Sequence, residues 1–188
     1  MSKRWTKKIT VVAETDPQAP DGVAFHMEDE NGDELLTLDF SKDQIQGMMK
    51  NDNHEVRFKL NQESGMTLEF AQSPSDALWV AWGTETTYPP CPKTKPSTPD
   101  TIFYAEKSNG NTLVAVNTNP AVCLFSFTLN FVDPNSSTPT KLIPYDPGGG
   151  NQDGGTPPFQ NVGSFTAYLV IALVSAAVAA FATYGLMR

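Results

Sequence analysis

Residues Phe165 to Met187 read FTAYLVIALVSAAVAAFATYGLM, without one charged side chain. At about 1.5 Å per residue, a helix of this length spans roughly 35 Å. That is enough to cross the ~30 Å hydrocarbon core of a bilayer with a little tilt. The strongly polar members are Thr166, Ser175 and Thr183, whose hydroxyls can bond back to helix carbonyls. Tyr168 and Tyr184, near the two ends, suit the aromatic belts of the membrane interfaces. The alternative for an apolar segment is a buried core helix, which is seldom so long. The stretch therefore predicts one C-terminal transmembrane α-helix over 165–187, with the rest of the chain held beside a lipid bilayer.

The span has two unlike sides. On a helical wheel at about 100° per residue, Ala172, Ser175, Ala176, Ala179 and Thr183 fall together, and Val170, Ile171, Val174, Val178 and Phe181 fall opposite. A face of small residues lets another helix come close, and in lipid such packing drives association. Alanine is also simply common in membrane spans. The segregation predicts docking onto another integral membrane protein, or self-association through the helix.

Ahead of the span, Asp146 to Pro158 consists mainly of Gly, Pro, Asn, Gln and Asp, a composition expected to bury nothing and to act as a flexible tether. Three parts result: a soluble domain over 1–145, a Gly/Pro-rich linker over 146–164, and the helix. The domain is of common size. The whole chain carries a formal net charge of -8, nearly all of it on the soluble part. Nucleic acid is excluded as a partner, because phosphate contacts need clustered Lys and Arg. The basic exception is Lys3, Arg4, Lys7 and Lys8 around Trp5, either a solvated leader or a contact with anionic headgroups. No apolar run of signal-peptide length follows it. The expected arrangement is a single-pass, tail-anchored protein with a cytoplasmic domain. Arg188 beyond the span, with no Lys or Arg between Lys141 and the span, argues for the opposite orientation.

The domain reads as strands and turns. Lys8–Ala13, Val23–Glu28, Glu34–Phe40, Glu55–Asn61, Met66–Phe70, Ala77–Gly83, Thr101–Glu106, Thr112–Asn117, Val122–Val132 and Lys141–Tyr145 carry β-branched, aromatic or alternating patterns. Asn31-Gly32 and Asn109-Gly110 mark hairpins, the first of them read as a two-residue turn. Leu36, Leu38 and Phe40 are expected to face one core, as are Val56, Phe58 and Leu60. Ser41-Lys-Asp-Gln44 has capping-box spacing and predicts a short helix over 42–50, the one helix expected in the domain. Short strands with regularly spaced turns predict an immunoglobulin-like antiparallel β-sandwich, although the Cys…Trp…Cys arrangement of true immunoglobulin domains is absent.

Two stretches stand out as contact candidates. Trp79 and Trp82, three apart on one strand, should point to opposite faces. One fills the core; the other is a contact residue or lies under a neighbouring loop. Tyr88 to Asp100 reads YPPCPKTKPSTPD, too rich in proline to form a ladder. Its residues Tyr88, Pro89 and Pro92 offer an extended, low-entropy surface that a partner can read, unless the segment is a plain solvated loop.

Leu129-Asn-Phe-Val-Asp-Pro134 followed by Ile143-Pro-Tyr-Asp-Pro147 resembles the C-terminal pattern of the small bacterial β proteins called the DP-EP family. The resemblance covers residues 129–147. It implies a compact bacterial β domain and brings no activity with it.

Catalytic signatures are missing. His26 and His54 read as structural, and no nucleophile elbow or phosphate loop occurs. The acidic run Glu28, Asp29, Glu30, Asp33 and Glu34 lacks the spacing of a calcium loop and reads as a solubilising hairpin tip. Cys91 is expected to be exposed in the proline segment, Cys123 to be a small core residue, and no bridge between them is expected. The chain is therefore read as no enzyme, with no cofactor and no metal. The expected role is an accessory or assembly subunit of a membrane complex. The alternatives are a membrane-tethered binding module for a soluble protein, peptide or glycan, and a structural protein of a membrane-containing virion.

Overall fold

The computed structural model describes residues 4–19, 21–40, 53–84, 86–118 and 123–151. In chain order the strands are β1 (Arg4–Thr15), β2 (Val23–Glu28), β3 (Glu34–Leu35), β4 (Thr37–Asp39), β5 (Asn53–Gln62) and β6 (Glu69–Phe70). After a single helical turn, α1 (Pro74–Ala77), come β7 (Leu78–Trp82), β8 (Phe103–Ser108), β9 (Thr112–Asn117), β10 (Cys123–Val132), β11 (Ile143–Tyr145) and β12 (Gly148–Asn151). One sheet has the order β3-β2-β1-β5-β9-β8. In the other, β11 and β12 follow one another along one edge of β10, β4 lies beyond β12, and β6 and β7 lie along the other edge of β10. The protein is thus mainly β, with two sheets enclosing one core.

Alternation makes that core. In β5, Val56, Phe58 and Leu60 point inward, and in β10 Phe125, Phe127, Leu129 and Phe131 do the same. Aromatic rings join the sheets: Phe103 lies 5.3 Å from Phe125 and 5.6 Å from Phe127, and Phe25 lies 4.8 Å from Phe131. Burying each such side chain stabilises the fold by about 1.5–3 kcal/mol.

The sheets are not wholly antiparallel. β1 and β5 pair in parallel over Arg4↔Asn53 to Ala13↔Gln62, and β12 pairs in parallel with β4. Parallel neighbours need a long connection. Here the chain between β1 and β5 runs out through β2 and β3 and over to β4 in the second sheet. The expected strand Glu34–Phe40 is therefore two strands in two sheets. Leu36 sits at the changeover and is 54 % exposed, so it does not join Leu38 and Phe40 in the core.

Other expectations are corrected by geometry. The turn at Asn31-Gly32 is wider than two residues: ladder pairing stops at Glu28↔Glu34. The Asp29 carboxylate closes the loop by accepting from the Asn31 and Asp33 amides at 2.7 and 3.0 Å. Those bonds hold Asp29 below its ordinary pKa. The helix α1, absent from the sequence reading, starts at Pro74, where a missing N–H costs nothing; one turn is too short to leave a periodic signal. The helix expected over 42–50 lies outside the described residues.

Gly148–Asn151, within the stretch expected to be a flexible tether, forms a strand of the second sheet instead. Gly148, Gly149 and Gly150 pair with Ser126, Phe125 and Leu124 on one side and with Thr37, Leu38 and Asp39 on the other. Ladder bonds are main-chain bonds, so a segment with no side chains can still fill a strand position. Residues 152–164 and the span at 165–187 lie outside the described residues. Among the described residues, no helix is long and apolar enough to cross a membrane.

Candidate binding site: the proline strap and its cleft

β10 has a second face. Ser126, Thr128 and Asn130 alternate with its core phenylalanines, yet all three are fully buried. Buried polar side chains need partners, and the proline segment supplies them to Ser126 and Thr128, α1 to Asn130. Ser126 Oγ donates to Pro89 O at 2.6 Å, and Thr128 Oγ1 lies 2.8 Å from Pro92 O. Asn130 Nδ2 donates to Asp76 O in α1 at 2.9 Å. Extended proline-rich backbone makes no internal hydrogen bonds, so its carbonyls are available for this. The segment is a strap laid across the outer face of the sheet.

Charged groups fasten the strap. Asp146 stands between β11 and β12. Its Oδ1 lies 2.8 Å from Thr128 Oγ1, and its Oδ2 accepts from Lys93 Nζ at 3.1 Å. The Thr128 hydroxyl has one proton, which it gives to Pro92 or to Asp146. Lys95 bridges to Ser75 Oγ and Asp76 in α1. At the far end Asp100 accepts from the amides of Ile102 and Phe103 at 2.7 and 2.8 Å and from Trp82 Nε1.

The two tryptophans do lie on opposite faces. Trp82 turns inward and packs on Phe125, ring centres 5.0 Å apart. Trp79 turns outward but is 8 % exposed, with Nε1 donating to Ser75 O at 3.2 Å. It lies under α1 and the strap. Pro89 and Pro92 are partly buried, their carbonyls spent on β10. Tyr88 is half-buried, and burial, then the charge of Asp39, push its hydroxyl up to about 12. Cys91 is also half-buried, 3.8 Å from Asp146 O. Burial, then Asp146, raise its thiol pKa above the ordinary value. Cys123 lies on the face of β10 opposite the strap side, and no disulfide joins it to Cys91.

A cleft of about 380 Å³ opens where β7, β8, α1 and the strap meet. Trp79, Lys95, Pro99, Tyr104 and Glu106 line it. An aromatic floor, hydroxyls, one base (Lys95) and two acids (Asp100 and Glu106) give it the composition of a candidate binding cleft.

The remaining charged candidates are partly spent in the fold. Lys8 pairs with Glu30 at 3.6 Å. Lys7 is largely buried near Asp39 and Asp29, and desolvation lowers its pKa. His26 contacts Glu28 at 3.4 Å, and His54 is buried against Phe40, ring centres 5.2 Å apart. Among the described residues no group of three or more His, Cys, Asp or Glu is placed to hold a metal ion. The helix face of Ala172, Ser175, Ala176, Ala179 and Thr183 lies outside the described residues.

Sequence reading named the strap but not its fasteners. Ser126, Thr128 and Asn130 carry a signal, since strictly alternating polar residues in a long apolar strand mark a second face. Asp100 and Asp146 carry none, because their partners are distant in sequence. No protein-family model matches the chain, and no curated protein matches it either.

Proposed function

We propose that the protein is a non-enzymatic, single-pass membrane-anchored accessory or assembly subunit of a larger membrane protein complex. Its anchor is the charge-free stretch 165–187, and it docks through Ala172, Ser175, Ala176, Ala179 and Thr183. The observation that carries this reading is the segregation of small from bulky residues in a segment long enough to span a bilayer. The two-sheet domain is then an immunoglobulin-like sandwich in its layered plan, joined to the span by a flexible linker over 152–164 and standing on the cytoplasmic side of a bacterial membrane. The test is co-purification from mild detergent. The chain should come out with a partner or as an oligomer, and Ala176→Ile with Ala179→Ile should release it. A lone monomer from both forms opposes the proposal.

A second reading is a membrane-tethered module that binds a soluble protein, peptide or glycan. The cleft beside Trp79 supports it. Tyr104→Ala, at the rim, should then abolish the interaction while the fold is kept.

A further inference from the structure

We propose that the C-terminal strand of the second sheet is exchangeable, and that its alternative occupant is the same strand of a second copy. The slot shows its own ligand. β11 and β12 lie along one edge of β10 in a single register, from Phe131↔Ile143 to Cys123↔Asn151. They form one long strand interrupted at Asp146-Pro147. Among the described residues the β12 half of this strand is interior, since it separates β10 from β4, whereas the β11 half pairs with β10 alone.

An interior strand is usually held by side chains as well as by its ladder. This one is IPYDPGGGN. Pro144 and Pro147 have no N–H to give to a ladder. Gly148, Gly149 and Gly150 have no side chains to pack, and glycine loses the most conformational freedom when it is ordered. The side-chain holds belong to the β11 half and the interruption: Ile143 and Tyr145 pack against the core, Tyr145 stacked 5.5 Å from Phe25, and Asp146 sits on Thr128 and Lys93. A polar loop, 133–142, precedes the strand and can serve as its hinge. When the strand leaves, it uncovers main-chain groups of β10 and β4 together, in a spacing that an identical Gly-Gly-Gly-Asn segment satisfies by construction. A reciprocal exchange closes on itself, so it yields a dimer and not a fibre.

The test uses the full chain in detergent. One form carries Asn151→Cys with Cys123→Ser and Cys91→Ser; the other carries Cys91→Ser alone. They are mixed and oxidised. Only an exchanged strand brings position 151 of one chain to Cys123 of the other, so a disulfide-linked heterodimer is expected. A control partner with Cys91→Ser, Cys123→Ser and Ser137→Cys reports links made by collision, including those from association of the helices. Linkage no greater than in this control overturns the proposal. A second form needs no cysteine chemistry: deleting Asn135–Ser137 shortens the hinge and should convert the protein to a dimer in sedimentation, even with Ala176→Ile and Ala179→Ile present. A folded monomer there also overturns it.

Discussion

Ser126 in the core strand β10 and Pro89 in the strap are joined by a 2.6 Å hydrogen bond between residues 37 apart in sequence. That bond, with the parallel contact of Thr128 to Pro92 at 2.8 Å, makes the proline segment part of the sandwich. A partner reading the strap as free polyproline would have to compete with the domain's own strand for those carbonyls.

Removing the strap's fasteners should therefore cost stability. Ser126→Ala leaves the Pro89 carbonyl without its donor, and Thr128→Val removes the one hydroxyl proton shared between Pro92 and Asp146. Each should destabilise the domain by about 1–3 kcal/mol. Denaturant unfolding of the full chain in detergent, followed by tryptophan fluorescence, measures this. Changes within a few tenths of a kcal/mol would mean that the strap is only resting on the sheet.

Cys91 reports on the same strap. Its thiol pKa is raised above 9.0 by burial and by Asp146, so the folded state favours the protonated thiol. That contribution to stability is present below the unfolded pKa and fades as pH rises through the folded one. Alkylation of Cys91 should be slow near neutral pH, accelerate above the ordinary thiol range, and accelerate at every pH in Thr128→Val. Tyr88, held up at about 12, adds a further loss of stability between its ordinary value of 10.0 and that point.

Gly83 introduces the strap. A Cβ there would fall 2.0 Å from Thr87 O and 2.9 Å from Pro89 Cδ. Gly83→Ala should cost about 1–3 kcal/mol, as overpacking does, and loosen Cys91 as well. Thermal unfolding together with thiol accessibility tests both effects.

Trp79 separates a packing role from a contact role. It is nearly buried, so Trp79→Ala should cost roughly 3–5 kcal/mol as a cavity forms. Trp79→Phe should keep most of the fold while enlarging the cleft. If Trp79→Ala leaves the unfolding curve unmoved, the residue is not part of the domain's packing.

Period-two patterns announced most of the strands. Val56, Phe58 and Leu60 face the core as expected, and so do Phe125, Phe127, Leu129 and Phe131. The pairing of strands was not legible. That β1 lies parallel to β5 depends on a crossover through the other sheet, and no local pattern encodes a crossover. Gly148 to Gly150 misled for a related reason: glycine composition signals flexibility, while the place of β12 is decided by two neighbouring backbones. Leu36 looked like a core residue because alternation continues through it, yet the chain changes sheets there. For the site, Trp79 and the prolines were visible by type. Asp100 and Asp146 became visible only through partners brought near by the fold.

The account rests most heavily on the apolar stretch 165–187. Flotation of the full chain with liposomes, followed by an alkaline carbonate wash, tests it directly. The protein should float with the lipid and stay there through the wash. A chain that remains in the aqueous fraction, soluble without lipid or detergent, would contradict the membrane anchor and the docking proposed for it.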